Sequence, residues 1–237
     1  MTEQLRVVLW DIDGTLVRAT HYGLFRQYMG PMLEKVFGTC GKLPEMTVSG
    51  MTDLQIAIEA LREHGFTARE VLARLDDIRR CYIAEMERVA NGRAAWQPLP
   101  GARACLERLA REERYLSSLL TGNIEPAARL KLRVAGLDRY FQLPGAFGDE
   151  SDDRRELPAL AAERINRHLG LRLAPHQFII IGDTPNDIAA ARHFGARVIA
   201  VATGRVHSAD DLRPHEPDAL LPDLTDPELL VRTLDRL

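Results

Sequence analysis

The sequence predicts an α/β fold in which a doubly wound, mostly parallel, Rossmann-like sheet carries an inserted α-helical domain. Three observations predict this architecture. Short apolar, β-rich runs alternate with amphipathic helices, which is the pattern of βαβ units with helices on both faces of a parallel sheet. A stretch of about eighty residues near the N-terminus breaks this alternation and shows only helical periodicity. Polar, mostly acidic residues follow directly after three of the apolar runs.

The composition is that of an ordinary globular protein. Of the 237 residues, 46% are hydrophobic and 27% are charged, and the formal net charge is −3. This balance provides no basic surface for nucleic acid, so no nucleic-acid partner is expected. The sequence has no run of eighteen apolar residues and no signal-peptide pattern, which predicts a cytoplasmic protein without membrane association. Nothing in the pattern indicates an oligomeric state.

The predicted strands of the sheet are short, apolar and rich in β-branched residues. They cover residues 6–10, 115–120, 178–181 and 198–201, with a weaker candidate at 219–221. The helices between them begin after proline or acidic residues and end at glycine. They start at Pro100-Gly101, run from Glu125 to Gly136 and from 157 to Gly170, and cover 187–194 before Gly195.

The stretch between residues 15 and 97 contains no predicted strand. Apolar residues at helical spacing predict a first helix over 25–37. Thr52 and Thr67 each begin a capping-box pattern. They predict one helix that ends at Gly65 and one longer helix that ends at Asn91-Gly92. The sequence therefore predicts a core of residues 1–15 and 98–237, interrupted by a helical domain of residues 16–97.

Polar side chains follow the predicted strands where each strand ends. Because ligands in open α/β sheets bind beyond the carboxyl ends of the strands, we expect these residues to meet at one edge. The residues are Asp11 and Asp13 after the first strand, Thr121, Gly122 and Asn123 after the second, Asp183 and Asp187 after the third, and Arg154 in the preceding connection. Taken singly, each motif also fits a plain turn, a helix cap or a solvated surface; their placement after successive strands favours a common site.

This set of residues predicts phosphoryl chemistry. Several carboxylates without nearby histidine or cysteine suit Mg²⁺. A threonine, backbone amides and an arginine can hold phosphoryl oxygens. Asp11 and Asp13 point to the same side of the strand end, so one can attack phosphorus while the other protonates the leaving oxygen and later activates water. The expected partner is a small phosphorylated metabolite.

These motifs resemble those of the haloacid dehalogenase-like hydrolase superfamily. The matching segments are Asp-Ile-Asp-Gly-Thr-Leu-Val at residue 11, Leu-Leu-Thr-Gly-Asn ending at Asn123, and Ile-Gly-Asp-Thr-Pro-Asn-Asp-Ile around Asp183. The resemblance extends over essentially the whole chain. The length and helical pattern of the insertion are similar to the subgroup with an α-helical cap domain, which includes phosphoglycolate-phosphatase-like enzymes.

The resemblance implies a role for each matched residue. Asp11 would be the nucleophile and Asp13 the general acid and base. Mg²⁺ would be held by the Asp11 carboxylate, the backbone carbonyl of Asp13 and Asp183, with Asp187 supporting it through water. The phosphoryl group would be bound by Thr121, with Gly122 and Asn123 beside it.

The third motif departs from the family pattern. The family usually has a lysine there, whereas this chain has no lysine beyond Lys131. We assign the role to Arg154, with Arg155 and Lys131 as the alternatives. Arginine supplies the same charge with a planar geometry.

The resemblance favours a Mg²⁺-dependent phosphatase that acts through an aspartyl-phosphate intermediate. Dehalogenases of the superfamily lack the second aspartate, so Asp13 argues against that activity. Phosphonoacetaldehyde-type hydrolysis needs a cap lysine, and nothing marks Lys35 or Lys42 as poised for it. A phosphomutase of the β-phosphoglucomutase type stays open because it shares the core residues. A phospho-accepting signalling module is a remote alternative, since receiver domains are about half this length.

Overall fold

A computed structural model describes residues 5–92 and 94–237. Residues 1–4 of the predicted core and residue 93 of the predicted helical domain lie outside the described residues. The strands are β1 (Arg6–Trp10), β2 (Val17–Ala19), β3 (Trp96–Pro98), β4 (Tyr115–Leu119), β5 (Phe178–Gly182), β6 (Arg197–Val201) and β7 (Ala219–Leu221). The α-helices are α1 (Leu24–Phe37), α2 (Asp53–Arg62), α3 (Ala68–Leu72), α4 (Leu75–Ala90), α5 (Ala102–Leu109), α6 (Glu125–Ala135), α7 (Leu157–Leu169), α8 (Pro185–Phe194), α9 (Ala209–Leu212) and α10 (Pro227–Arg236).

The predicted α/β fold is confirmed. In the part of the chain that the structure describes, five parallel strands form one sheet in the order β4-β1-β5-β6-β7. Alternate residues of β1 and β5 enter two hydrophobic clusters on opposite faces of the sheet, with Trp10 in one and Leu9 in the other. Helices therefore cover both faces, which is why the central strands are apolar throughout.

The order of the strands positions the polar residues. Strand β1 lies between β4 and β5, and Trp10 at its end pairs with Leu119 and Ile181. The three carboxyl ends that carry acidic and polar residues are therefore adjacent at one edge of the sheet.

Two short strands lie where the sequence predicted none. Strands β2 and β3 form a separate antiparallel pair in which Val17 lies opposite Pro98. Each strand has three residues, too few for a periodic pattern, and the two lie far apart in the chain. They pair at the beginning and end of the helical insertion, so the chain enters and leaves it at one place.

The single long helix predicted from Thr67 is two helices, α3 and α4. No glycine or proline marks the break, so the local sequence could not reveal it. At the break, Arg74 donates a hydrogen bond to the Val36 carbonyl at 2.6 Å, and its guanidinium lies 5.1 Å from the centre of the Phe37 ring. Contacts with α1 accompany the break, which is a tertiary effect on local helix preference.

The start of α2 contacts the loop that follows β4. The Asp53 amide donates to the Gly122 carbonyl at 2.6 Å, and the Ile124 amide donates to the Asp53 carboxylate at 2.9 Å. A Cβ at Gly122 would lie 2.3 Å from the Met51 carbonyl oxygen, so the two backbones meet at a distance that only glycine allows. The helical insertion therefore docks directly on the strand-end loops.

Among the described residues, no helix combines the length and the apolar character needed to cross a membrane.

Candidate active site

Asp11 lies at the centre of the sheet edge. It follows β1 directly, and its amide donates to the Ile181 carbonyl at 3.0 Å. Its side chain is buried, and a guanidinium nitrogen of Arg154 lies 3.0 Å from Oδ1. Burial raises the pKa of Asp11 to about 7, although the Arg154 charge opposes this rise. The site therefore holds this carboxylate in a poorly solvated position that faces a cavity.

Two further buried aspartates come from the end of β5 and the start of α8. Oxygens of Asp11, Asp183 and Asp187 lie within 4.8 Å of one another. Burial raises the pKa of Asp183 well above its usual range, and the charges of Asp11 and Asp187 add to the effect. Carboxylates this close repel one another unless positive charge lies among them. This donor set is the one that Mg²⁺ prefers.

Local sequence explains how these aspartates are held. Asp187 accepts hydrogen bonds from the Thr184 amide and hydroxyl at 3.0 and 2.7 Å, a capping box at the start of α8. Asp183 accepts from the Thr15 hydroxyl at 3.0 Å. Gly14 has φ +85°, and a Cβ there would lie 2.3 Å from Asp183 Oδ2. Glycine at this position therefore lets the chain turn beside the carboxylate.

Among the described residues, Arg154 is the arginine that reaches two of these carboxylates. It begins a 3-10 turn before α7, is 6% exposed, and donates to Asp187 at 2.5 Å as well as contacting Asp11. Its Nε has no hydrogen-bond partner among the described residues. Arg155 instead pairs with Asp153 at the surface, and its side chain is 58% exposed. Of the three candidates for the third motif, the structure places Arg154 against Asp11.

Asp13, Thr121 and Asn123 form a hydrogen-bonded group beside Asp11. The Asn123 side-chain amide donates to Thr121 Oγ1 and to Asp13 Oδ2, both at 2.8 Å. The Lys131 ammonium lies 2.6 Å from the same Asp13 oxygen. Burial acts to lower the pKa of Lys131, but the charge of Asp13 and the nearby Tyr28 raise it above its usual value. The Asp13 carboxylate is not part of the three-aspartate cluster.

The sequence offers Lys131 only as an alternative for the third motif, whereas in the structure its ammonium lies against Asp13. Lys131 and Asp13 are 118 positions apart in the sequence, and no local spacing encodes their contact. Asp53 also joins the site from the helical insertion. Its capping-box position marked a helix start and gave no sign of its contact with the loop after β4.

A cavity of about 370 Å³ opens in front of these residues. Its floor includes Asp11, Asp13 and Thr121 from the sheet edge. Its opposite wall comes from the helical insertion and its flanking strand, and includes Phe25, Met46 and Trp96. The volume is that of a site for a small molecule. The arrangement can hold a cation and an anionic group on the floor and the rest of a small ligand against the wall.

Solved structures with the same fold span nearly all of this chain. A predicted phosphoglycolate phosphatase from Haemophilus somnus is 21% identical, with a TM-score of 0.62, and the match covers 96% of this chain and 98% of that one. A candidate β-phosphoglucomutase from Thermotoga maritima is 22% identical, with a TM-score of 0.60 and coverage of 98% and 100%. CbbY from Rhodobacter sphaeroides, solved in complex with phosphate, is 17% identical, with a TM-score of 0.64 and coverage of 94% and 96%. At these identities the likeness concerns the fold.

No curated protein matches the sequence significantly. The family model described as haloacid dehalogenase-like hydrolase matches residues 5–195, which include both strand-end aspartate pairs and the whole helical insertion. The chain therefore belongs to the haloacid dehalogenase-like hydrolase family.

Proposed function

We propose that this hydrolase is a Mg²⁺-dependent phosphatase that cleaves a small phosphate monoester through an aspartyl-phosphate intermediate at Asp11. The observation that carries the proposal is the division of charge on the floor of the cavity. Three buried carboxylates lie within 4.8 Å of one another with Arg154 against two of them, while Asp13 stands apart and half-exposed. The three-carboxylate cluster can hold a cation and supply the nucleophile, while Asp13, outside the cluster, can transfer protons.

The residues present fit a magnesium ion. Oxygens of Asp11, Asp183 and Asp187 lie within 4.8 Å of one another. Burial and the neighbouring negative charges raise the pKa of Asp183, and a bound cation would relieve this repulsion between the carboxylates. Mg²⁺ would be held by Asp11, Asp183 and the backbone carbonyl of Asp13, with Asp187 in support. When bound, it would neutralise charge on the carboxylates and on the phosphoryl oxygens.

The protein groups carry out the reaction in two halves. In the first, a carboxylate oxygen of Asp11 forms a bond to phosphorus as the ester P–O bond breaks, and Asp13 gives a proton to the leaving oxygen. In the second, Asp13 takes a proton from a water molecule, which attacks phosphorus and releases inorganic phosphate and the Asp11 carboxylate. Thr121 and the loop at Gly122 would hold phosphoryl oxygens, with Asn123 beside them.

Arg154 would supply positive charge beside the nucleophile. Its contacts with Asp11 and Asp187 fix the guanidinium on the floor of the cavity. This position supports its assignment to the third-motif role, in which a cation offsets charge that develops during phosphoryl transfer.

The division into a core of residues 1–15 and 98–237 and a cap domain of residues 16–97 is part of the proposal. The pair of strands β2 and β3 at the ends of the insertion supports it, and so does the cavity that lies between core and insertion. Closure of such a cap would exclude water from the reaction. The cytoplasmic location and the small phosphorylated metabolite as a partner stay predictions.

A panel of small phosphate monoesters, assayed for inorganic phosphate with Mg²⁺ and with a chelator, tests the proposal. We expect hydrolysis of at least one ester, which chelation abolishes and added Mg²⁺ restores. Hexose phosphates in the panel, with analysis of the sugar products, separate the phosphomutase alternative, because a mutase returns the phosphoryl group to the sugar.

Two variants complete the assay. Asp11→Asn removes the nucleophile and is expected to reduce turnover by several orders of magnitude. Asp76→Asn makes the same chemical change at a side chain that is 93% exposed, and full activity is expected. Turnover in Asp11→Asn comparable to that of Asp76→Asn would contradict the proposed mechanism.

A further inference from the structure

Lys131 occupies an unusual position for a lysine. Its side chain is only 3% exposed and belongs to the buried residues of α6, the helix that follows the loop after β4. Lysine is almost never fully buried unless it is paired, because the ammonium loses its hydration and the long side chain loses its freedom. The third-motif position beside Asp11 is already filled by Arg154. Lys131 therefore needs another explanation.

The ammonium of Lys131 contacts one particular oxygen of Asp13. It lies 2.6 Å from Oδ2, and Asn123 Nδ2 donates to the same oxygen at 2.8 Å. Within the described part of the chain, no hydrogen bond reaches Oδ1. The Asp13 side chain is 46% exposed at the cavity, so it would be free to change rotamer without these two donors. Together they fix one oxygen and leave the other for a ligand.

Lys131 is itself held on its other sides. Asn123 Oδ1 accepts a hydrogen bond from the ammonium at 2.5 Å. The hydroxyl of Tyr28 on α1 faces the ammonium, and the buried carboxylate of Asp53 adds a nearby negative charge. Tyr28 is fixed by an edge-to-face contact with Tyr82, with ring centres 5.2 Å apart. The ammonium is therefore confined by groups from both the core and the helical insertion.

We propose that Lys131 is a positioning residue that fixes Asp13 through Oδ2 and so presents Oδ1 to the leaving oxygen of the substrate. The inference rests on the proposed phosphatase function. The proton on Oδ1 passes to the leaving oxygen as the P–O bond breaks, and Oδ1 takes a proton back when water attacks the phosphoryl group. Lys131 touches neither substrate nor phosphorus in this scheme. It acts only through Asp13.

The dependence of rate on the leaving group tests this role. An alkyl phosphate needs a proton on its leaving oxygen, whereas acetyl phosphate releases acetate without one. In Lys131→Met we expect kcat/KM for an alkyl phosphate to fall by about 100-fold, in the range of general-acid contributions. For acetyl phosphate we expect a fall of less than about tenfold in the same variant, because general-acid assistance is not required there. Lys42→Met, at a lysine that pairs with Glu63 on the surface, is the control and should match the wild type.

A lysine that only holds the fold together would lower kcat/KM for both substrates equally, and that result would overturn the proposal. A second test measures the effect of Lys131→Met in a protein that already carries Asp13→Asn. There, Lys131→Met should cause no further loss on the alkyl phosphate, whereas an additive loss would contradict action through Asp13.

Lys131→Arg keeps the buried positive charge and so serves if Lys131→Met does not fold. The planar guanidinium cannot place its donors on Asp13 and Asn123 as the ammonium does. We expect a selective loss of about tenfold or more on the alkyl phosphate, within the general-acid range, and an equal effect on both substrates would overturn the proposal. A wild-type protein that hydrolyses no ester of the panel with Mg²⁺ would instead refute the proposed function.

Discussion

The guanidinium of Arg154 lies 3.0 Å from Asp11, whereas Arg155, its neighbour in the sequence, pairs with Asp153 and is mostly exposed. The 3-10 turn at the start of α7 causes this difference, because it directs the two successive side chains to different surroundings. The Asp153 carboxylate caps that turn through the Arg155 amide at 3.0 Å. The chain thus offers a matched pair of arginines, one inside the site and one outside.

Arg154→Ala should reduce kcat by about 100-fold to 1,000-fold, the usual cost of removing a donor that stabilises charge in the transition state. Arg155→Ala should stay within about twofold of the wild type, because exposed ion pairs contribute little. Steady-state kinetics of the two variants on one ester makes the comparison. If Arg155→Ala were the more damaging change, the third-motif role would belong to Arg155 instead.

Asp183→Asn should uncouple stability from magnesium. In the wild type, we expect Mg²⁺ to raise the melting temperature, because it binds the folded state and relieves the repulsion between buried carboxylates. The variant should melt at a higher temperature than the wild type in chelator, since its neutral amide removes one buried charge and can still accept from Thr15. Its melting temperature should not respond to Mg²⁺. Thermal melts with and without the ion measure both effects, and Asp76→Asn is the control.

The central sheet and the acidic cluster were predictable from sequence because both depend on local pattern. The four main predicted strands match β1, β4, β5 and β6 to within one residue at each end, since each is a continuous apolar run. The carboxyl ends of parallel strands meet at one edge, so the order of strands and polar residues in the sequence is enough to place Asp11 and Asp183 together.

The remaining features depend on packing between distant segments. The pairing of β2 with β3 joins residues about eighty positions apart. The contact of Lys131 in α6 with Asp13 after β1 joins residues 118 positions apart. The break between α3 and α4 carries no glycine or proline and coincides with contacts between Arg74 and α1. In each case the local sequence is compatible with several outcomes, and tertiary contacts select one.

Asp53 should make the stability of the protein pH-dependent. Burial raises its pKa to about 6, with the Lys131 charge opposing the rise. A carboxyl group with a raised pKa in the folded state binds its proton more tightly there than in the unfolded chain. Its contribution to stability is therefore lost as the pH rises from about 4 to about 6.

Asp53→Asn removes this titration and keeps an acceptor for the Ile124 amide. As the pH rises from 4 to 7, the wild type should lose stability that the variant keeps. The free energy of unfolding of the variant minus that of the wild type should therefore increase by an amount on the order of 3 kcal/mol over this range. Urea denaturation across this range measures the difference. A difference independent of pH would contradict the burial of an ionisable group at this contact.

Gly122→Ala should separate the helical insertion from the strand-end loop. The added methyl would lie 2.3 Å from the Met51 carbonyl oxygen and 2.9 Å from a nitrogen of Arg154, so the backbones must move apart. We expect a loss of activity of at least about tenfold, because small displacements of catalytic groups are costly. Gly30→Ala, at a helical position where the nearest atom other than the adjoining helix backbone is Leu43 Cδ2 at 4.0 Å, should keep activity and add up to about 1 kcal/mol of stability. Equal activity of the two variants would show that the close contact at Gly122 is not needed.

Rapid acid quench during turnover tests the covalent step at Asp11 most directly. The protein is mixed with its best ester and Mg²⁺, stopped within the first turnover and digested for mass spectrometry. We expect a transient phosphoryl group on the peptide that contains Asp11 in the wild type. In Asp13→Asn the occupancy should be higher when acetyl phosphate is the phosphoryl donor, because its leaving group needs no proton and only the second half of the reaction is then slowed. Turnover with no phosphoryl group on that peptide, or with one on another residue, would contradict the mechanism.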